Sequence, residues 1–196
     1  MEWFIHLDKI EATREEVDKA LTDALETRNS LLVRIALAMG ANPTVGGGKL
    51  LVYASEQSNL ALAQKLIPTI DLTSEEERNY FEEATTKATQ SGCTQILEEI
   101  FPAAPYTMSV AMKVAVGNNM QEMAAWLLSK GAVLHIDREC IKLHLEMVKK
   151  LLCSNFEVKT NIEEEAVLEL ISMETGAEVL EMLLGALRRD APENFE

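Results

Sequence analysis

VAMKVAVGNNMQEMAAWLLSKGA, the segment from Val110 to Ala132, reads as two short helices joined by a tight turn. Gly117-Asn118-Asn119 interrupts two apolar, helix-compatible stretches, and such a cluster is a turn signal. Lys130-Gly131-Ala132 stops the second helix, because glycine readily takes the left-handed conformation just past a helix end.

The same pattern recurs on the N-terminal side. Thr13 and Glu16 form a capping box, in which each side chain satisfies the other residue's free backbone amide. Val17, Ala20, Leu21, Ala24 and Leu25 follow at helical spacing, and Arg28-Asn29-Ser30 breaks the run. A second helix from Leu31 ends at Met39-Gly40-Ala41, with Pro43 beyond it. Val45-Gly46-Gly47-Gly48-Lys49 reads as a flexible loop. The next pair starts at Leu50, breaks at Gln57-Ser58-Asn59 and stops at Pro68. Ser74 and Glu77 suggest another capping box, opening a long charged helix to Ser91-Gly92, whose partner is stopped by Pro102 and Pro105.

On the C-terminal side, Asp137–Leu143 is too short for two helices, whereas His144–Leu152 is a clear second helix. Asn161 and Glu164 are expected to cap a further helix, and Gly176 turns the chain into a last one ending near Leu184. Residues 1–12, with Trp3, Phe4, Ile5, Leu7 and Ile10, read as an apolar cap segment; residues 188–196 read as a polar tail.

Aligned on the apolar pair before each stop, the stops fall at Gly40, Ile70, Ala104, Gly131, Asn155 and Leu187, in steps of 30, 34, 27, 24 and 32 residues. A helix–turn–helix unit of this period signals a solenoid, since each unit needs its neighbours to bury its apolar face. The expected fold is all-α, a solenoid of about six helical pairs over residues 13–187. Composition agrees. Hydrophobic residues make up 47% but aromatics only 5%, and Val, Ile and Thr do not gather into alternating runs.

Val110–Ala132 resembles an ankyrin repeat. Met112 stands at the first Leu of the family's Thr-Pro-Leu-His opening, Ala115-Val116 at its Ala pair and Asn119-Met120 at its Gly-His turn. Leu127-Leu128 and Gly131-Ala132 match as written. His144–Val148 with Leu151-Leu152 is similar to the family's second helix, Met39–Pro43 to its exit, and Ile162–Leu184 to divergent ankyrin-like repeats of fungal multidomain proteins. Thr-Pro is missing from every unit, and the fifth unit has lost much of its first helix.

The formal charge of −14 repels phosphate backbones and argues against nucleic acid as a partner. No stretch approaches a membrane span. Three scattered cysteines form no disulfide framework, and the acidic N-terminus lacks the basic region of a signal peptide, so an intracellular chain, cytoplasmic or nuclear, is expected.

Several motifs invite chemistry. Gly46-Gly47-Gly48-Lys49 suggests a phosphate loop, but Pro43 stands where the first Gly belongs and Leu50 where Ser or Thr would bind Mg²⁺. Cys140, His144 and Cys153 lack a fourth ligand, and a break is expected between Cys140 and His144; His144 falls on the family's structural histidine. The carboxylate groups at Glu75–Glu77, Glu82-Glu83, Glu98-Glu99 and Glu163–Glu165 are explained by capping and solvation. No enzyme activity, cofactor or metal is expected.

The resemblance implies a non-catalytic protein-interaction module with a concave surface. The partner would meet the first-helix ends at Glu26-Thr27, Glu56-Gln57, Gln90-Ser91, Asn118 and Glu174, and the tips at Asn42, Thr44, Tyr106 and His135. The acidity of these positions on the concave surface predicts a protein partner with a basic patch. Two rival readings are a regulatory or structural arm packing on its own parent protein, and a binder or enzyme using a Glu cluster.

Overall fold

The computed structural model describes residues 12–153, 159–173 and 176–190, with the backbone alone for 186–190. Among these residues it has eleven α-helices and two short strands. Its contacts divide into two compact units, Met1–Ala104 and Pro105–Glu196. Among the described residues, no helix is long and apolar enough to cross a membrane.

The first unit holds α1 (Arg14–Glu26), α2 (Ser30–Ala38), α3 (Gly47–Glu56), α4 (Leu60–Leu66), α5 (Glu75–Gln90) and α6 (Thr94–Ala103). They pack as consecutive pairs, α1 with α2, α3 with α4 and α5 with α6. First helices also meet in series, α1 on α3 and α3 on α5, and α4 meets α6. Leu21, Leu50, Leu51, Leu66, Phe81, Ile96, Leu97 and Ile100 are fully buried between them. The Thr13–Glu16 capping box forms with both bonds in place.

One turn geometry joins the two helices of a pair four times over. Arg28, Ser58, Gly92 and Asn119 each take a left-handed φ, of 51°, 52°, 72° and 55°. The following N–H, of Asn29, Asn59, Cys93 and Met120, donates five residues back to the carbonyls of Ala24, Ala54, Ala88 and Ala115 at 2.8–2.9 Å. These bonds define a Schellman motif, which satisfies carbonyls the helix end leaves open. All four alanines are buried, so no large side chain separates the turn from the core. Their spacings, 30, 34 and 27 residues, repeat the register read from the apolar stops.

The glycine run is not a loose loop. Pro43–Gly46 forms a 3-10 turn, and α3 begins inside the run at Gly47. A Cβ on Gly48 would lie 2.5 Å from both the Cβ of Tyr80 and Oε2 of Glu77. Glycine therefore lets the start of α3 sit directly on α5. The expected second capping box is also absent. Ser74 is the N-cap of α5 but makes no side-chain capping bond. Glu77 instead accepts the N–H of Gly48 at 2.9 Å.

The second unit holds α7 (Thr107–Gly117), α8 (Gln121–Ser129), β1 (Val133–Ile136), α9 (Arg138–Leu152), β2 (Lys159–Ile162), α10 (Glu164–Ser172) and α11 (Gly176–Asp190). α9 packs on α7, α8, α10 and α11. It is bent at His144, whose φ of −131° and ψ of 23° lie outside the helical range. The break expected between Cys140 and His144 is this kink within one helix. Asn161 caps nothing; it lies in β2, and Glu163 is the N-cap of α10. The last helix continues through Asp190, three residues into the expected tail.

The chain is mostly helical, as expected, with one small two-stranded sheet among the described residues. β1 and β2 pair in parallel, Val133 opposite Lys159 and Ile136 opposite Ile162. β1 contacts α7 and β2 contacts α11, which buries Leu134 and Ile136 completely.

Candidate functional site

The first unit has a cleft of about 400 Å³ where α1, α3 and α5 converge beside the start of α2. Helix geometry aims the lining. Lys49, Val52, Tyr53 and Glu56 are spaced three, four and seven residues apart on α3 and so form one stripe. Tyr80, Glu83 and Lys87 form the equivalent stripe on α5. Leu25, Glu26 and Arg28 enter from the end of α1, and Ser30 and Val33 from α2.

Three ion pairs cross the rim. Lys49 lies 3.8 Å from Glu26, Lys87 lies 3.7 Å from Glu56, and Arg28 donates to Glu83 at 3.2 Å. Arg28 thus reaches 55 residues along the chain, from the end of α1 to α5. Each pair is solvent-exposed on at least one side, so each contributes only about 0–1 kcal/mol. The three acids and three bases in the lining cancel. At this cleft the expected acidic surface is therefore a balanced one.

Two tyrosines furnish aromatic surface. Tyr53 is 9% exposed, and its hydroxyl donates to the carbonyl of Ser30 at 3.5 Å. Tyr80 donates to Glu76 at 3.1 Å, and the ammonium of Lys49 lies 5.9 Å from its ring centre, a cation–π distance. Burial pushes both phenols above their ordinary pKa, so both are neutral hydrogen-bonding groups near pH 7.

Of the residues expected to meet a partner, Glu26 and Glu56 line this cleft. Gln57 and Gln90 are exposed at the adjoining helix ends. The Thr27 hydroxyl donates to the Asp23 carbonyl at 2.9 Å, and the Ser91 hydroxyl donates to the Lys87 carbonyl at 2.9 Å and reaches the Ser55 carbonyl on α3 at 3.4 Å. Asn42 and Thr44 make a local turn: Asn42 Oδ1 accepts from the Thr44 N–H at 3.2 Å and hydroxyl at 3.0 Å. The Asn42 N–H is held by Asp18 at 2.6 Å.

Tyr106, Asn118 and His135 belong to the second unit and do not line the cleft. Tyr106 is 41% exposed. Asn118 donates to the Val114 carbonyl at 2.8 Å. His135 sits on β1, with Nε2 2.9 Å from Glu163 Oε1. Glu174 lies outside the described residues.

Arg28, Lys49, Tyr53, Tyr80, Glu83 and Lys87 were not anticipated as lining. The signal was available in the 49/52/53/56 and 80/83/87 spacings, which mark a mixed stripe rather than a purely apolar one. Among the described residues, no three His, Cys, Asp or Glu side chains converge as a metal site requires. Compared with protein-family models, curated proteins and solved structures, the chain finds no match.

Proposed function

We propose that the chain is a non-catalytic protein-recognition module of ankyrin-like helical pairs, and that the cleft between α1, α3 and α5 receives its partner. The observation that carries this reading is the cleft itself. It encloses about 400 Å³ where three helices converge, deep enough to receive a partner's side chain. Its aromatic and aliphatic floor sits inside a charged rim, the arrangement of apolar centre and polar edge that protein interfaces use. Helices packed in series hold that floor in place, so little ordering entropy is lost on binding. The net charge of −14 favours the approach of partners bearing a basic patch.

The test is affinity capture with the intact chain and with Glu26→Lys/Glu56→Lys, followed by titration of the purified captured protein. A partner that binds the intact chain saturably and loses at least about tenfold in affinity for the variant supports the reading. A partner indifferent to the double substitution rejects the cleft as its site.

A second reading, a regulatory or structural arm packing on its own parent protein, draws on the second unit. Leu168 and Ile171 on α10 are 60% and 65% exposed and Leu184 on α11 is 44% exposed. If that surface serves packing, Leu168→Glu/Ile171→Glu leaves partner binding at the cleft unchanged and weakens association with the parent.

A further inference from the structure

We infer that the segment received by the cleft carries charges of both signs around an apolar or aromatic side chain, and is not a purely basic one. The inference rests on the recognition role proposed above and specifies the partner's chemistry. Each of the three converging elements presents one acid and one base: Glu26 with Arg28, Lys49 with Glu56, and Glu83 with Lys87. On α3 the two charges are seven residues apart, about 10 Å along the helix axis. Val52 and Tyr53 lie between them. An extended peptide covers about 10 Å in roughly three residues. The complementary segment therefore sets a carboxylate opposite Lys49 and a cation opposite Glu56, about three residues apart, with an apolar side chain over Val52 and Tyr53.

The existing ion pairs do not block this. Arg28 is 79% exposed, Glu26 59% and Glu56 54%, so a partner's charges can exchange with them at small cost. A purely basic segment would instead bring like charges against Arg28, Lys49 and Lys87, and the repulsion would offset its attraction to the three acids. The chain's net negative field acts before contact. It is screened beyond about 8 Å at physiological salt and so bears on approach more than on what fits.

The experiment pans a phage-displayed library of random dodecapeptides on the full chain and on Lys49→Glu/Lys87→Glu, with folding of both checked by circular dichroism. The intact chain should enrich peptides with an acid and a base about three residues apart, flanking Leu, Phe or Trp. The variant, its cleft now strongly acidic, should enrich basic peptides. Lys49→Gln, a milder change, should weaken the enriched peptides roughly twofold to fivefold. Enrichment of basic peptides by the intact chain, lost on Glu26→Lys/Glu56→Lys, would overturn the mixed-charge inference and leave recognition at the cleft standing. Enriched peptides indifferent to all these substitutions would overturn both.

Discussion

Glu77 on α5 accepts the backbone N–H of Gly48 at 2.9 Å, so a carboxylate 29 residues away satisfies an amide in the first turn of α3. α3 makes no side-chain capping bond of its own at Gly46. The bond ties one helical pair to the next, and it forms only because Gly48 has no Cβ to hold α5 away. Gly48→Ala should destabilise the chain by about 1–3 kcal/mol through forced displacement of Tyr80 and Glu77. Glu77→Ala should cost a similar ~1–3 kcal/mol by leaving the amide without its acceptor. Urea midpoints of the two single variants and the double variant check this. Because both act on one contact, their effects should fall short of adding.

The left-handed turns make a prediction of opposite sign. Ser58 holds φ at 52°, a conformation that costs an L-residue about 1 kcal/mol and glycine very little. Ser58→Gly should raise stability by about 0.5–1 kcal/mol, and Gly92→Ala should lower it by about 1 kcal/mol. Thermal unfolding midpoints should move in opposite directions. Equal losses for both would show that the turns are not what fixes the helix ends.

Burial at the small parallel sheet predicts a larger loss. Ile136 is fully buried, and its carbonyl accepts the Glu163 N–H at 3.0 Å. Ile136→Ala should cost about 2–5 kcal/mol by opening a cavity. Hydrogen exchange of the β1 and β2 amides should speed up with it. A cost below about 1 kcal/mol would mean that the strands contribute little to the second unit.

Two groups in that unit respond to alkaline pH. Burial, aided by the negative charge of Asp137, pushes the Cys140 thiol up to about 11. A thiol with a raised folded-state pKa contributes stability present below its unfolded pKa and lost as pH climbs through the folded value. Lys149 is also raised, chiefly by its hydrogen bond to Glu178 at 3.2 Å, and its contribution is lost in the same direction. Stability should therefore fall as pH rises from about 9 to about 11, and Cys140→Ala should flatten part of that fall. Near pH 8 a thiol reagent should modify exposed Cys153 long before buried Cys140.

Much of the helical framework was legible because it depends on local chemistry. Thr13 and Glu16 cap each other within four residues. Gly40 and Gly131 end second helices with φ of 88° and 89°, as glycine past an apolar pair suggests. What was not legible depends on distant partners. Gly46-Gly47-Gly48 reads as slack until α5 is placed against it. Glu77 reads as a local cap until Gly48 comes within reach. β1 and β2 are four residues each, and the polar Lys-Thr-Asn-Ile of β2 has no strand pattern until Val133–Ile136 lies beside it. Glu26 and Glu56 read as acids facing a partner until Lys49 and Lys87, which balance them, arrive from the first helix of the next pair in each case.

Backbone amide chemical shifts of the isotopically labelled chain, followed during titration with a peptide enriched on it, test recognition at the cleft most directly. Binding there predicts saturable shifts concentrated at Leu25, Lys49, Val52, Tyr53, Glu83 and Lys87, with the amides of Pro105–Glu196 left in place. Saturable shifts confined to that second unit, with the cleft residues unmoved, would contradict it.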